Sequence, residues 1–246
     1  MWDSPRQLNG LALVVLLAAV AMFAWGAVAW AVRQPVFALR QVVIEGRLVR
    51  ANPAHIQAVI REELRGTFFT LRLPEARASL QRVPWVKRVE LRRQWPGRLQ
   101  VMLVEHEPLA RWTEGALVDT EGEVFSADFA GDLPQLAGPE GSAALVATRF
   151  REFGAALASR ALAIAELTLS PRGGWELRTA GKAPLTIELG RNEAGERLSR
   201  FVLYYGRTVA ALARAGTGTE YVDLRYRNGF AMRMPGFKEK PVRKAG

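Results

Sequence analysis

The sequence predicts an α+β protein: a single N-terminal transmembrane helix, a β-α-α-β-β module, and then a mainly antiparallel β domain with two helices. Three observations lead to this expectation. Residues 11–32 form an apolar run without a charged side chain. Two helical stripes and three alternating strand patterns follow between residues 36 and 107. The rest of the chain alternates short strand patterns with glycine- and proline-rich turns.

The apolar run 11–32 is long enough to cross a membrane as a helix. At a rise of about 1.5 Å per residue it spans about 33 Å, and a hydrocarbon core is about 30 Å thick. Trp25 and Trp30 lie near its end, where indole rings favour the headgroup boundary. A buried core helix and a signal peptide cleaved after residues 27–29 are the alternatives. The run exceeds a usual signal-peptide apolar region, which favours an uncleaved membrane anchor.

Composition limits what the chain can do. There is no cysteine, which excludes disulfides, thiol nucleophiles and thiolate metal sites and fits a reducing or a periplasm-like compartment. The 34 basic and 24 acidic residues give a net charge of +10. Such an excess favours anionic partners, such as phospholipid headgroups, nucleic acid or acidic proteins, or simply indicates a solvated arginine-rich surface. Hydrophobic residues make up 49% of the chain, which is enough for the cores of two small domains.

The first module begins with a strand and continues with two helices. Asn52 is a typical N-cap, and Pro53 suits the first helical position. Pro74 opens the second helix and Pro84 ends it. The elements predicted in order are a strand over 39–45, helices from 53 to Gly66 and from 74 to 83, and strands over 85–94 and 99–104.

The second region begins at Pro108, which we interpret as a domain boundary. Residues 128–141 are rich in glycine and proline and predict a loop. Asn228-Gly229 between two alternating runs is a strong hairpin signal. The elements predicted in order are a hairpin over 117–119 and 123–125, a helix from Ser142 to about residue 160, strands over 164–169, 175–179 and 185–189, a helix over 196–214, and a final hairpin over 221–226 and 230–234.

Candidates for catalysis are few. The two histidines are His55, in the first turn of a helix, and His106, which lies between Glu105 and Glu107. On a strand those two carboxylates share a face and His106 points away, so the three cannot chelate one metal ion. No zinc-protease, phosphate-loop, dinucleotide or nucleophile-elbow motif occurs. We therefore expect no enzyme: no catalytic residue, metal, cofactor or small-molecule substrate.

A basic hairpin raises the possibility of nucleic-acid binding. Arginine and lysine alternate there with two tryptophans, Trp85 and Trp95, and such an arrangement can bind single strands by stacking and phosphate contacts. Both tryptophans stand beside prolines, which favours core packing instead, and the membrane anchor argues against a nucleic-acid function if the body lies outside the membrane. The basic side chains concerned are those of Lys87, Arg88, Arg92, Arg93 and Arg98.

The final hairpin is the best candidate for protein binding. A strand near the end of a domain favours an edge position, where free N–H and C=O groups can accept a partner strand. Tyr226 and Phe230 would supply apolar contacts, and Arg225, Arg227 and Arg233 could select an acidic partner. The alternative is an ordinary edge strand that its arginines protect from pairing.

Several motifs in order carry a resemblance to a known family. They are Val42-Val43-Ile44-Glu45-Gly46, Val83-Pro84-Trp85-Val86-Lys87, Gln94-Trp95-Pro96, Glu107-Pro108-Leu109-Ala110-Arg111-Trp112, Gly138-Pro139-Glu140-Gly141-Ser142, Arg200-Phe201-Val202 and Tyr221-Val222-Asp223-Leu224-Arg225-Tyr226. Together with the single apolar segment and the order of the elements, they resemble the bacterial FtsQ/DivIB family of cell-division proteins.

The resemblance implies a domain plan and an orientation. Residues 1–10 would be a cytoplasmic tail, 11–32 the transmembrane helix, 36–107 a POTRA domain, 108–237 the β domain and 238–246 a disordered basic tail. The body would lie in the periplasm at the division septum, anchored in the inner membrane. Counting arginines on both sides of the helix argues mildly for the opposite orientation, because one precedes it and four follow closely.

The resemblance also implies partners. The chain would be a non-enzymatic scaffold of the divisome that binds FtsB and FtsL through its terminal hairpin and reaches other division proteins through the POTRA domain and the transmembrane helix. The alternative is a POTRA-type chaperone for membrane proteins. The partner-binding residues would be Arg225, Tyr226, Arg227, Asn228, Gly229, Phe230, Met232 and Met234.

Overall fold

The computed structural model describes residues 5–64, 66–214, 218–227 and 229–234. The chain divides into two compact units, the first ending at Glu105 and the second beginning at His106. The predicted site residue Asn228 and the predicted basic tail from residue 238 onward lie outside the described residues.

The first unit begins with a long apolar helix, α1 (Pro5–Ala31). Its segment Asn9–Ala31 is long and apolar enough to cross a membrane, and none of it is buried against protein. A helix satisfies its own backbone hydrogen bonds, so lipid can surround it. The apolar stretch agrees with the predicted run 11–32, and the helix itself already begins within the predicted tail 1–10.

A small three-stranded sheet and two helices complete the first unit. β3 is the central strand, and it pairs in parallel with β1 and antiparallel with β2. The Asn52 side chain caps α2 as expected, because its Oδ1 accepts a hydrogen bond from Ala54 N at 2.9 Å. The elements are β1 (Gln41–Glu45), α2 (Pro53–Glu63), α3 (Leu73–Gln81), β2 (Val86–Gln94) and β3 (Arg98–Glu105).

The core of this unit follows the predicted alternation. Apolar residues of β2 and β3 are buried on one face of the sheet, α3 packs on β2, and α2 packs on α3. The fully or almost fully buried side chains are those of Ile56, Ala76, Leu80, Val89, Leu99, Val101 and Leu103. The β-α-α-β-β order with helices on one sheet is therefore as predicted.

The second unit is built on a nine-stranded mixed sheet. Its strand order is β12-β11-β10-β9-β8-β7-β4-β5-β6. Three neighbouring pairs are parallel (β10 with β11, β7 with β8, and β4 with β7), and the other pairs are antiparallel. The strands are β4 (Pro108–Arg111), β5 (Leu117–Asp119), β6 (Val124–Phe125), β7 (Gln135–Ala137), β8 (Ile164–Leu169), β9 (Trp175–Thr179), β10 (Thr186–Gly190), β11 (Tyr221–Asp223) and β12 (Ala231–Arg233).

Three helices accompany this sheet in the described chain: α4 (Ala143–Ala158), α5 (Ala194–Tyr205) and α6 (Val209–Arg214). Helices α4 and α5 contact each other and pack on the sheet. Phe153 of α4 lies edge-on to Trp175 of β9, with ring centroids 5.9 Å apart. Phe201 of α5 is completely buried.

Three sequence expectations for this unit need correction. The strand β7 lies inside the predicted loop 128–141, where a three-residue strand is too short to show alternation. The predicted helix 196–214 divides into α5 and α6, because the chain turns at residues 206–208 and Thr208 Oγ1 donates to the Tyr204 carbonyl at 2.9 Å. Ser142 stands at the start of α4, but its hydroxyl donates to the Pro139 carbonyl instead of capping the helix.

Candidate partner-binding edge

The last strand, β12, lies at an edge of the nine-stranded sheet. It pairs antiparallel with β11, with Met232 opposite Val222. No other strand of the described chain pairs with it. The sheet therefore ends at β12 with one side of the strand unpaired.

Hydrogen bonds show which peptide groups of β12 point away from the sheet. The carbonyl of Arg233 accepts a hydrogen bond from Glu220 N at 3.2 Å, so it points toward β11. The peptide groups of successive residues alternate between the two sides of a strand. The N–H and C=O of Met232 therefore face away from β11 and are directed to where a tenth strand would lie.

The predicted apolar contacts of this hairpin divide into two groups. The Tyr226 side chain is exposed, with 57% of its surface accessible. Phe230 packs edge-on against Phe201, with ring centroids 5.7 Å apart, and Met232 packs against the core. Tyr226 is thus available to a partner, whereas Phe230 and Met232 mainly hold the hairpin on its own domain.

Arg225 is held by two carboxylates of neighbouring strands. Its Nη2 lies 2.7 Å from Asp223 Oδ2, and its Nη1 lies 2.8 Å from Glu188 Oε1. The hydrogen bonds from Arg225 lower the pKa of Asp223 below its usual value. About half of the Arg225 side chain, 53%, remains exposed. The guanidinium is therefore fixed in orientation and still accessible to a further anion.

Tyr221 belongs to the same cluster, because it contacts the Glu188 carboxylate that binds Arg225. Its hydroxyl donates a hydrogen bond to Glu188. Burial, together with the hydrogen bond to Glu188 and its negative charge, raises the pKa of Tyr221 to about 12. The Arg233 guanidinium lies 5.7 Å from the centroid of the Tyr221 ring, a cation–π distance. The side chains of β10, β11 and β12 thus form one connected polar surface.

A groove of about 500 Å³ separates this hairpin from α5. Arg200 reaches across the groove's end, where its Nη1 donates to the Arg227 carbonyl at 2.7 Å. Sequence reasoning missed this groove, because α5 and the hairpin are far apart along the chain. The lining residues are Arg197, Arg200, Phe201, Tyr204, Thr208, Leu224, Gly229, Phe230 and Met232.

A second polar cluster lies at the other end of the same sheet. His106, Asp119 and Glu123 offer ligand atoms within 4.8 Å of one another. Both oxygens of the buried Asp119 already accept hydrogen bonds: Oδ2 is 2.9 Å from His106 Nδ1, and Oδ1 accepts from the N–H groups of Glu121 and Glu123, each at 2.9 Å. This network closes the turn between β5 and β6 and accounts for the positions of the His106 and Asp119 side chains.

The two tryptophans of the basic hairpin differ in their environment. Trp85 is buried, with 8% of its surface exposed, which agrees with the expected core role. Trp95 is 65% exposed, so the same expectation is wrong for it. Trp95 stands on the turn between β2 and β3, where its neighbours are other aromatic rings.

Comparison with known families gives two matches that together span most of the body. Residues 37–106 match the model of the FtsQ-type POTRA domain. Residues 110–225 match the model of the C-terminal region of the cell division protein FtsQ/DivIB. The first matched segment covers the part of the first unit that follows α1, and the second lies within the second unit.

Individual relatives match along nearly the whole chain. The cell division protein FtsQ of Burkholderia pseudomallei is 36% identical over 242 residues, which covers 97% of this chain and 96% of the relative. FtsQ of Bordetella pertussis is 32% identical over 256 residues, with 94% and 92% covered. FtsQ of Escherichia coli is 34% identical over 241 residues, with 93% and 87% covered.

Proposed function

Because the chain belongs to the FtsQ/DivIB family of cell division proteins, we propose that it is a scaffold of the divisome that binds FtsB and FtsL through the hairpin of β11 and β12. The family is structural and non-catalytic. The exposed apolar helix α1, together with these relatives, indicates a single-pass membrane protein. The scaffold would join partners without chemistry of its own.

The observation that carries this proposal is the unpaired side of β12. An edge strand with outward N–H and C=O groups is a template for a partner strand, because backbone hydrogen bonds supply affinity whatever the partner's sequence. Met232 provides the outward peptide groups, and Tyr226 provides an exposed aromatic side chain in the connection between β11 and β12. A partner strand added here would extend the sheet without rearranging its core.

Charge and shape beside the edge would give selectivity. Arg225 is oriented by Asp223 and Glu188 and keeps half of its surface open, so a partner carboxylate can join it. The groove along α5 is lined by Arg197 and Arg200 as well as by apolar side chains. A partner segment with an acidic residue followed by apolar ones would complement this surface.

The membrane helix would contribute by confinement. In the proposed orientation the amino terminus is cytoplasmic, and the POTRA domain (36–107) and the β domain (108–237) are periplasmic, at the septum. Long folded domains cross membranes largely regardless of flanking charge, so the arginines after α1 do not oppose this orientation strongly. Confining both partners to one membrane raises their effective concentration at the edge strand.

Binding of FtsB to the full-length protein in detergent or nanodiscs tests the edge. Met232→Pro removes the outward N–H together with the side chain, whereas Met232→Ala removes the side chain alone. Proline is tolerated on an edge strand when its nitrogen faces away from the sheet. We expect the proline variant to lose affinity well beyond the alanine variant, and Tyr226→Ala to weaken binding with the fold unchanged.

Val124→Pro is the matched control, because β6 is the opposite edge strand of the same sheet and Val124 is exposed. It should leave FtsB affinity unchanged. Circular dichroism of each variant establishes that the fold is retained. Equal affinities for Met232→Pro and Met232→Ala in folded protein would eliminate strand addition at β12.

A further inference from the structure

Four aromatic rings cluster at the end of the first unit where α1 ends. Phe37 and Phe69 have ring centroids 5.2 Å apart, Phe68 and Trp95 5.6 Å, and Phe68 and Phe69 5.3 Å. They come from three separate segments: the stretch after α1, the loop between α2 and α3, and the turn between β2 and β3. We name residues 32–41, 66–72 and 93–99 together the juxtamembrane rim.

Backbone hydrogen bonds hold the rim together. Phe68 N donates to the Phe37 carbonyl at 2.7 Å, and Arg40 N donates to the Gly97 carbonyl at 2.9 Å. The three segments of the rim are therefore joined to one another through their backbones.

One hydrogen bond ties the rim directly to the membrane helix. The hydroxyl of Thr67 donates to the carbonyl of Val32 at 2.7 Å. Val32 immediately follows Ala31, the last residue of α1. When the apolar span of α1 crosses a hydrocarbon core, the rim consequently lies at the height of the lipid headgroups.

The rim exposes much of its apolar surface instead of burying it. Trp95 is 65% exposed, Val36 is 60% exposed and Phe69 is 48% exposed. Exposed aromatic and aliphatic side chains cost free energy in water, because their transfer to an apolar environment is favourable. Tryptophan and other amphipathic rings are enriched at membrane–water boundaries, where one edge is wet and the other is apolar.

The charge of the rim is uniformly basic. Its three segments contain no aspartate or glutamate. Arg72 pairs with Glu75 at 2.7 Å just outside the rim, and Arg93 donates to the Leu71 carbonyl. The exposed arginines in the rim also include Arg33, Arg40 and Arg98. Basic side chains close to a bilayer are attracted to anionic headgroups.

From this geometry we propose that the juxtamembrane rim is a lipid-binding surface that docks the first module on the same bilayer that α1 spans. Phe69, Trp95 and Val36 enter the interfacial layer, and the arginines bind the phosphates of anionic phospholipids. The docked module then stands at a fixed height and tilt above the membrane instead of swinging on a linker. This inference depends on α1 crossing a membrane and is independent of whether β12 binds FtsB.

Spin labelling of the full chain in lipid nanodiscs tests the proposal. The chain contains no cysteine, so a single introduced cysteine gives one labelled site. Phe69→Cys and Trp95→Cys report on the rim. Val49→Cys is the matched control: Val49 is 67% exposed in the same module, and its N–H bonds to Glu105 at the far end of β3 from the rim.

Collision rates with oxygen, which enriches in lipid, and with a water-soluble nickel complex report the depth of each label. We expect labels at 69 and 95 to collide more with oxygen than with nickel and the label at 49 to show the reverse. Labels at 69 and 95 that are as accessible to nickel as the label at 49 would overturn the proposal. Protection that appears only after membrane extract is added would also overturn it, in favour of a protein partner.

Lipid charge tests the second half of the proposal. Nanodiscs of phosphatidylglycerol are compared with nanodiscs of phosphatidylcholine, with the label at 69. The depth of the label should decrease in the uncharged lipid. The double variant Arg40→Gln/Arg98→Gln should reduce the depth in phosphatidylglycerol and abolish the difference between the two lipids. A label equally deep in all four samples would contradict recognition of anionic headgroups.

Discussion

The hairpins at the two edges of the nine-stranded sheet contain the same local turn, in which an aspartate side chain accepts a backbone hydrogen bond. In the β5–β6 hairpin at one edge, β5 ends at Asp119, and in the β11–β12 hairpin at the other edge, β11 ends at Asp223. Each carboxylate accepts a hydrogen bond at 2.9 Å from the backbone N–H two residues later, Glu121 in one case and Arg225 in the other. Such turns are typical of aspartate, whose side chain replaces a backbone acceptor.

The partners of the two aspartates differ. Asp119 is completely buried and also bonds His106 and the N–H of Glu123, which closes a tight turn. Asp223 pairs with Arg225, and half of that arginine remains in solvent. A buried hydrogen-bond network such as that of Asp119 stabilises its hairpin internally. The half-exposed pair of Asp223 and Arg225 leaves charge available to another molecule. The same aspartate turn is therefore closed within the chain at the β5–β6 hairpin and leaves a charged side chain accessible at the β11–β12 hairpin.

Removing each carboxylate tests this comparison most strongly. Asp119→Ala leaves two backbone N–H groups and a histidine without their acceptor, and we expect it to cost about 3 kcal/mol of unfolding free energy. Asp223→Ala disrupts a partly exposed pair and should cost about 1 kcal/mol. Urea titration of the full chain in detergent, followed by circular dichroism, measures both.

Asp119→Asn is the control, since its amide oxygen can still accept from the turn, and we expect an intermediate loss. Partner affinity should change in the opposite order, with Asp223→Ala affected more than Asp119→Asn. Equal destabilisation by the two alanine variants would mean that the two hairpins are not stabilised differently.

Substitution of two aromatic side chains in the β11–β12 hairpin separates effects on folding from effects on binding. Phe230 packs on Phe201, so Phe230→Ala should cost about 2 kcal/mol, less than the value for a fully buried phenylalanine. Tyr226 is exposed, so Tyr226→Ala should change stability by less than about 0.5 kcal/mol. Urea titration gives the stabilities, and FtsB binding gives the affinities. Stability loss in Tyr226→Ala larger than in Phe230→Ala would reverse the assigned roles.

The sequence predicted most elements whose pattern is long or strongly capped. The apolar run of α1, the Asn52 cap and the strands 164–169 and 175–179 agree with the structure. The strands that it missed, β4 and β7, are four and three residues long. Their pairing is decided by neighbours far away in the chain, so local periodicity contains no signal for them.

Side-chain partners were harder to predict than elements. The predicted edge position of the last strand agrees with the strand order of the sheet, which ends at β12. Arg225 was predicted to select an acidic partner, and its binding by Asp223 and Glu188 of the same chain was not predicted. Asp223 and Arg225 are two residues apart, which places them on one face of the predicted strand 221–226, a spacing that could have suggested the pair. Glu188 lies close to Arg225 only because β10 pairs with β11, and no local sequence pattern reveals that pairing.

The smallest expected effect on stability concerns Tyr221, a residue of the β11–β12 hairpin. Its pKa is raised to about 12 from the ordinary 10.0, chiefly by burial and then by Glu188. The folded state therefore holds the phenol proton more tightly than the unfolded state does. The contribution of this proton to stability is complete below pH 10 and is lost as the pH rises through 12.

Stability measured at increasing alkaline pH should consequently decrease more in the wild type than in Tyr221→Phe, which has no proton to lose. Glu188→Gln should bring the pKa of Tyr221 only part of the way back, because burial is the larger cause and persists. Phenolate absorbance of the wild type minus Tyr221→Phe measures that pKa directly. A difference titration at the ordinary value would mean that the Tyr221 hydroxyl is open to solvent and that β11 lacks its tie to Glu188. The β11–β12 hairpin would then be stabilised by Asp223 and Arg225 without a contribution from the Tyr221 hydroxyl.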